Sequence, residues 1–140
     1  MIGAHCIKTW SVTQGAYALS SAEAEFYAMI EAVIRAKGVR NLAVEVGFKN
    51  LVGFKNLENV VHIGSDSSAA KSFVGRQGLG KMKHLEIRDL WLQKEVCDGR
   101  VIVSKVVGTE NPSDLGTKIL NTGEIAERLA GMNLAAVLGR

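Results

Sequence analysis

The sequence predicts an α/β protein in which helices pack on a sheet of mostly parallel strands. Short β-branched runs alternate along the chain with longer helical segments, in the order β-α-β-α-α-β-α. Hydrophobic residues make up 47% of the 140 residues and charged residues 22%, a balance typical of a folded chain with a core. No break in composition indicates a second domain, so we expect one domain over residues 1–140.

Three strands are predicted from their β-branched residues: His5–Ser11, Val60–Gly64 and Val101–Val107. The predicted helices are Ala22–Lys37, a segment from Asp66 to about Gly75, His84–Cys97, a short helix opened by Asn111-Pro112, and a tail from about Gly123 to Leu138. Ser20 and Glu23 form a capping box before the first helix. Gly38 predicts a break or C-cap there, with Val39–Val46 as a second helical piece.

A tandem hexapeptide interrupts this pattern. The segment VGFKNL occurs as Val46–Leu51 and again as Val52–Leu57. Repeat architectures need several longer units, so a single duplication indicates an extended connecting loop. Because the entropy of loop closure rises slowly with length, we expect the fold to accommodate the second copy.

Charge and cysteine content set broad limits on function. The formal net charge of +3 and the pI near 9.0 fit an anionic partner such as nucleic acid, although so small an excess is common. Cys6 and Cys97 lie far apart, so we expect them to be reduced and buried. The chain shows neither a signal peptide nor an apolar run long enough to span a membrane, which predicts an intracellular protein.

Three acids follow predicted strand ends or lie on the first helix, and each has a second interpretation. Glu25 shares a helix face with several alanines, which predicts either a partly buried carboxylate or a surface acid. Asp66 directly follows Val60–Gly64 and is either a helix N-cap or a metal ligand at a strand's carboxyl end. Asp114 is either an acid of a first helical turn or a further ligand. Hard cations such as Mg²⁺ prefer several such oxygens together.

Four sequence blocks surround these acids between Lys8 and Lys118. They are KTWS (8–11) with ALSSAEAEF (18–26), SDSSAA (65–70), KHLEIR (83–88) and ENPSDLGTK (110–118). In composition and order they resemble the ribonuclease H domain of copia-type retrotransposon polyproteins. Any one block is weak, but the ordered combination is specific.

The resemblance implies a ribonuclease H-like layered fold and hydrolysis of the RNA strand of RNA–DNA hybrids. The chemistry uses two Mg²⁺ ions, or Mn²⁺, roughly 4 Å apart. By motif, Glu25, Asp66 and Asp114 match three of the four catalytic, metal-binding carboxylates. The substrate phosphates would be bound by a basic cluster that is otherwise an ordinary helix start: Lys81, Lys83, His84 and Arg88. The implied partners are the RNA–DNA hybrid and the reverse transcriptase portion of the same polyprotein, in a cytoplasmic virus-like particle or the nucleus.

The chain departs from the family at its start. The family's first catalytic Asp lies on an opening strand, but no Asp precedes Asp66 here. We therefore expect a fragment whose sheet is incomplete, lacking its first two strands, and which is inactive alone. Either His5–Ser11 pairs in parallel with Val60–Gly64 to give three strands, or Val60–Gly64 keeps an open edge. The alternatives are a non-catalytic, decayed or domesticated nucleic-acid-binding piece and an unrelated α/β interaction module.

Overall fold

The computed structural model describes residues 6–15, 17–47, 60–80 and 90–134. Over these residues the chain is a mixed α/β protein with a two-stranded parallel sheet, which confirms the predicted class. The elements are α1 (Ser21–Glu45), β1 (Val61–Ser65), α2 (Ser68–Val74), α3 (Trp91–Cys97), β2 (Val101–Lys105), the 3-10 helices Gly108–Glu110 and Pro112–Gly116, and α4 (Thr122–Gly131).

The chain forms two compact units. The larger, which we call the sheet unit, is Gln14–Val106 and contains α1 to α3 and both strands. The smaller, which we call the C-terminal unit, joins Met1–Thr13 to Val107–Arg140 and contains α4 and both 3-10 helices. Whether the two units make one domain stays a prediction.

Helix α1 begins at the predicted cap and runs further than expected. The Ser20 hydroxyl accepts a hydrogen bond from the Glu23 amide at 3.2 Å, and the Glu23 carboxylate accepts one from the Leu19 amide at 2.8 Å. The helix then continues through Gly38 to Glu45 without a break, so the predicted division there is wrong. One glycine costs a helix only about 1 kcal/mol, and the hydrogen-bond ladder on both sides outweighs that cost.

The sheet consists of β1 and β2 in parallel, in register from Val61 opposite Val101 to Ser65 opposite Lys105. Because side chains alternate along a strand, one face of the sheet is apolar. It packs into the hydrophobic core through Val61, Ile63, Val101 and Val103. The other face is more exposed and carries His62, Gly64, Ile102 and Ser104.

The predicted third strand is absent from the described residues. Cys6–Ser11 has no strand structure and belongs to the C-terminal unit, and His5 lies outside the described residues. Among those residues the sheet order is β1-β2 alone, so the three-stranded arrangement is wrong. Ser11 instead donates a hydrogen bond from its hydroxyl to the carbonyl of Gly116 at 3.3 Å.

The core of the sheet unit lies between the apolar sheet face and α1, α2 and α3. Phe26 of α1 and Phe73 of α2 meet edge to face, with their ring centroids 4.8 Å apart. Both rings are almost completely buried, as is Leu92 of α3. Aromatic pairs of this geometry contribute beyond their buried area, so this contact fixes α2 against α1.

A buried glutamine fixes the connector that follows α2. The side-chain amide of Gln93 donates to the carbonyls of Phe73 and Gly78 at 3.0 and 3.1 Å, and its oxygen accepts from the Gly78 amide at 2.9 Å. Gly78 and Gly80 have φ values of +86° and +54°, which glycine adopts at little cost. The Gln93 amide thus replaces the backbone partners that an irregular segment lacks.

The remaining elements agree with the sequence in type and differ in length. Helix α3 ends at Cys97, as predicted, with Asp98 as its C-cap and Gly99 following at a positive φ of 71°. Helix α4 ends at Gly131 and not near Leu138, because Asn133 adopts a left-handed φ of 53°. The Leu134 amide then bonds to the Leu129 carbonyl at 2.9 Å, a pattern that closes helix ends.

Several predictions lie wholly or partly outside the described residues. They are the second hexapeptide copy with most of the first, and residues 84–89 of the predicted helix His84–Cys97. Both cysteines are free, as expected, but Cys97 is exposed, so its predicted burial is wrong. Over the described residues, no helix combines the length and the hydropathy that crossing a membrane requires.

Candidate carboxylate site

Asp66 lies where the sequence predicts, at the carboxyl end of β1. It is half-buried, and it is not the cap of the following helix. Ser67 caps α2 instead, its hydroxyl accepting from the Ala70 amide at 3.2 Å, while the Ser67 amide donates to the Ser65 hydroxyl at 3.1 Å. The capping interpretation of Asp66 is therefore wrong. Its position at the carboxyl edge of a parallel sheet is the usual place for ligand contacts in open α/β sheets.

The structure decides between the two interpretations of Glu25 in favour of the surface acid. Glu25 is exposed on α1, beside the exposed Ala28, whereas the Glu23 residue is only 1% exposed. The face of α1 that packs in the core carries Phe26, Met29, Ile30 and Val33. A stripe of alanines and a stripe of larger apolar residues were both available to a helix of this sequence, and the larger side chains gain more by burial.

Asp114 is the buried acid of the C-terminal unit. It lies in the 3-10 helix Pro112–Gly116, which begins as predicted, with the Asn111 side chain accepting from the Ser113 amide at 3.1 Å. Only 6% of its side chain is exposed. Lys118 Nζ lies 2.9 Å from Oδ1, and Arg128 Nη2 of α4 lies 3.5 Å from Oδ2. Each carboxylate oxygen thus faces a cation of its own unit.

These cations set the protonation of Asp114. The hydrogen bond from Lys118 is the largest influence and lowers the pKa of Asp114, burial opposes it, and Arg128 adds to the lowering. The pKa therefore lies below its ordinary value, and Asp114 is ionised at neutral pH. A carboxylate this deeply buried requires such compensation.

The described residues do not, as they stand, fit a magnesium centre. They contain no group of three or more His, Cys, Asp or Glu side chains that could hold a metal ion. Two cations, Lys118 and Arg128, already face the carboxylate of Asp114. Assignment of these three acids as metal ligands stays a prediction. The basic cluster Lys81, Lys83, His84 and Arg88 lies outside the described residues.

Arg128 is a buried charged residue that sequence reasoning missed. It is 7% exposed and is the one basic residue of α4. A signal was present, because Arg128 shares a helix face with Ile125 and Met132, three residues before and four after it. An arginine on an apolar face requires a buried carboxylate, and Asp114 supplies it.

One similarity to a curated protein bears on the origin of the chain. It is 27% identical over 127 residues to the Retrovirus-related Pol polyprotein from transposon TNT 1-94 of Nicotiana tabacum. The match covers 88% of this chain and 9% of that polyprotein. This similarity supports a retrotransposon origin. No protein-family model matches the chain, and no solved structure matches it significantly.

Proposed function

We propose that the chain is a portion of a retrotransposon ribonuclease H that binds RNA–DNA hybrids and that, as these 140 residues alone, does not cleave them. The observation that carries the proposal is the similarity to a transposon polyprotein across 88% of the chain. The four ordered sequence blocks support the finer assignment to ribonuclease H, and Asp66 at the carboxyl end of β1 fits it.

Binding and cleavage have different requirements in this proposal. Binding needs cations that meet phosphates, and we assign that role to Lys81, Lys83, His84 and Arg88. Cleavage in the family needs carboxylates that hold Mg²⁺ or Mn²⁺, the cofactors we propose for the complete domain. These 140 residues contain no Asp before Asp66, and the carboxylate of Asp114 is paired with the side chains of Lys118 and Arg128. We therefore expect binding without turnover.

A labelled RNA–DNA hybrid tests both halves. Fluorescence anisotropy should show binding that weakens as salt rises, and gel analysis with Mg²⁺ or Mn²⁺ should show no cleavage beyond that without protein. The double variant Lys81→Ala/Lys83→Ala should bind about tenfold or more weakly. The matched control Lys94→Ala, a lysine at the exposed surface of α3, should bind as the wild type does.

Each contrary result has a specific meaning. Cleavage at the rate of a complete ribonuclease H would show that the missing carboxylate is not required. Absence of any salt-dependent binding would favour an α/β interaction module that has no nucleic-acid partner. Equal loss of affinity in the double variant and in Lys94→Ala would leave only non-specific charge attraction.

A further inference from the structure

Helix α1 carries apolar side chains on two faces, and only one of these faces packs in the core of the sheet unit. Phe26, Met29 and Val33 of the core face are at most 3% exposed. On the other face Ile34 and Leu42 are 50% and 61% exposed. A helix at the surface of a globular protein ordinarily has one apolar face, which it turns to the core. A second, exposed apolar face therefore indicates a contact surface.

The exposed face, which we call the α1 strip, consists of residues spaced four apart: Ile34, Gly38, Leu42 and Val46. Residues with this spacing lie on one side of a helix, because four residues complete slightly more than one turn. Val46, the C-cap residue, is also 61% exposed. Gly38 leaves a gap in the strip, since a Cβ built there would meet nothing within 4 Å. The strip thus presents a projecting leucine one turn away from an open notch.

Two opposite charges flank the strip near its ends. Arg35 is partly exposed and Glu45 is exposed. Positions 38 and 42 are equally far from residue 40, and so are positions 35 and 45. When two copies of α1 lie antiparallel about that midpoint, Leu42 of each copy therefore comes level with Gly38 of the other. Arg35 of each copy likewise comes level with Glu45 of the other. The surface is complementary to itself, which is what a two-fold contact requires.

We propose that the α1 strip is the contact surface of a homodimer, in which two copies of α1 pack antiparallel with Leu42 of each against Gly38 of the other. Glycine at such a contact lets the leucine approach the helix backbone closely. Arg35 and Glu45 pair across the two-fold axis and fix the register. Within one chain Arg35 contacts Glu31 at 3.4 Å, an exposed pair that contributes little and can yield to the new one.

The size of this surface sets the expected strength of the dimer. A single pair of helices buries less than the roughly 1,200–2,000 Å² of a standard stable interface, so the dimer should be weak and should depend on concentration. Its formation is independent of the proposed hybrid binding, because none of the four residues to which we assign phosphate contacts lies in α1.

Sedimentation equilibrium of the 140-residue chain, from micromolar to millimolar concentration, tests the dimer. The wild type should change from the monomer mass to the dimer mass over this range. Leu42→Gln should raise the dissociation constant about tenfold or more, because a two-fold pair loses the apolar contact twice. Ile119→Gln is the matched control, since it removes an exposed isoleucine outside α1 and should leave the constant unchanged. Leu42 is exposed in the single chain, so circular dichroism of Leu42→Gln should match the wild type.

Two charge variants test the antiparallel register. Arg35→Glu alone and Glu45→Arg alone each bring like charges level across the axis, so each variant should dimerise more weakly than the wild type. An equal mixture of the two variants should dimerise as the wild type does, because every pair across the axis of the mixed dimer then has opposite charges. Lys71→Glu reverses an exposed charge of α2 and should leave the wild-type constant, which controls for the change in net charge.

Each contrary outcome removes a stated part of the proposal. A chain that stays monomeric to millimolar concentration, or a Leu42→Gln variant that associates as the wild type does, would overturn the homodimer. Assembly beyond the dimer would contradict a closed two-fold contact. A mixture of the charge variants that dimerises no better than either variant alone would overturn the register. A monomer that still binds the RNA–DNA hybrid would overturn the dimer and leave the proposed function standing.

Discussion

At the scale of single residues, Glu95 of α3 lies between two cations of the sheet unit. Arg100 donates to Oε1 from Nη2 and Nε at 2.9 and 3.1 Å, and Lys37 of α1 donates to Oε2. Lys37 also lies 5.3 Å from the centre of the Trp91 ring. Hydrogen bonding by Arg100, opposed by burial and reinforced by Lys37, lowers the pKa of Glu95 from 4.5 to about 2.

This pKa shift predicts a loss of stability in acid. The folded-state pKa is below the unfolded value, so the stabilisation is complete above about pH 4.5 and is lost as the pH falls toward 2. Because Arg100 is 45% exposed, solvent screens the interaction, and we expect it to contribute about 1 kcal/mol. The free energies of unfolding of the wild type and of Glu95→Gln, measured in urea, should differ by that amount at pH 7 and become equal near pH 2. A constant difference across this range would assign the effect to packing.

Asp114 and Glu95 show the same chemistry at different depths. Each is a carboxylate between two cations, one from its own segment and one from another helix. Neither partner set follows from sequence spacing alone, since Lys37 and Arg128 lie 58 and 14 residues from their acids. Such pairs form only after the helices have packed.

At the scale of elements, β1 is held by a close contact at its carboxyl end. A Cβ on Gly64 would lie 2.5 Å from Cγ2 of Val106, the residue that follows β2. The Val106 amide donates to the Ser65 carbonyl at 2.9 Å, which keeps the two segments together. Glycine at position 64 is thus explained by space and not by a special backbone angle.

We expect Gly64→Ala to destabilise the chain by about 1–3 kcal/mol through this clash, because the branched Val106 side chain has few alternative rotamers. The double variant Gly64→Ala/Val106→Ala should recover most of the lost stability. Gly38→Ala is the matched control, since a Cβ there meets nothing within 4 Å and helix propensity improves. Thermal unfolding of the wild type and of these three variants measures this. Failure of Val106→Ala to rescue would place the clash elsewhere.

At the scale of the whole molecule, the core depends on contacts between segments that lie far apart in sequence. Helix α1 packs on β1 and α2, and α3 packs on α2 and β2, so contacts join the segments on both sides of residues 48–59. Residues 48–59 contain the second hexapeptide and lie outside the described residues. The sequence predicts a connecting loop there, and a loop affects stability through the entropy of closing it.

Deletion of Val52–Leu57 should therefore change the free energy of unfolding by less than about 1 kcal/mol, because closure entropy changes slowly with loop length. Urea unfolding of the deletion variant against the full chain measures this. The control is deletion of six residues inside α1, Ala28–Val33, which removes core side chains and should prevent folding. A loss above about 2 kcal/mol on deletion of the hexapeptide would show that the second copy packs into the core.

Local signals in the sequence determined the class of the fold and the starts of α1 and of the 3-10 helix Pro112–Gly116. The caps at Ser20, Asn111 and Asn121 act within three residues, and the β-branched runs at β1 and β2 carry their own propensity. Those interactions depend on neighbours in sequence and not on the packing of distant segments. They also put Asp66 at a strand end and Asp114 in a first helical turn, as predicted.

Only the tertiary structure decided which side chains are buried and which charges meet. The break predicted at Gly38, the strand predicted at His5–Ser11 and the stripe predicted around Glu25 all depended on what each segment would pack against. Burial of Arg128 against Asp114 and the position of Gln93 under its connector depended on the same choice. The intrinsic preference of a residue for a helix or strand contributes up to about 1 kcal/mol and depends on near neighbours in sequence. Burial of one large side chain contributes more, and which side chain is buried depends on partners that lie far away in sequence.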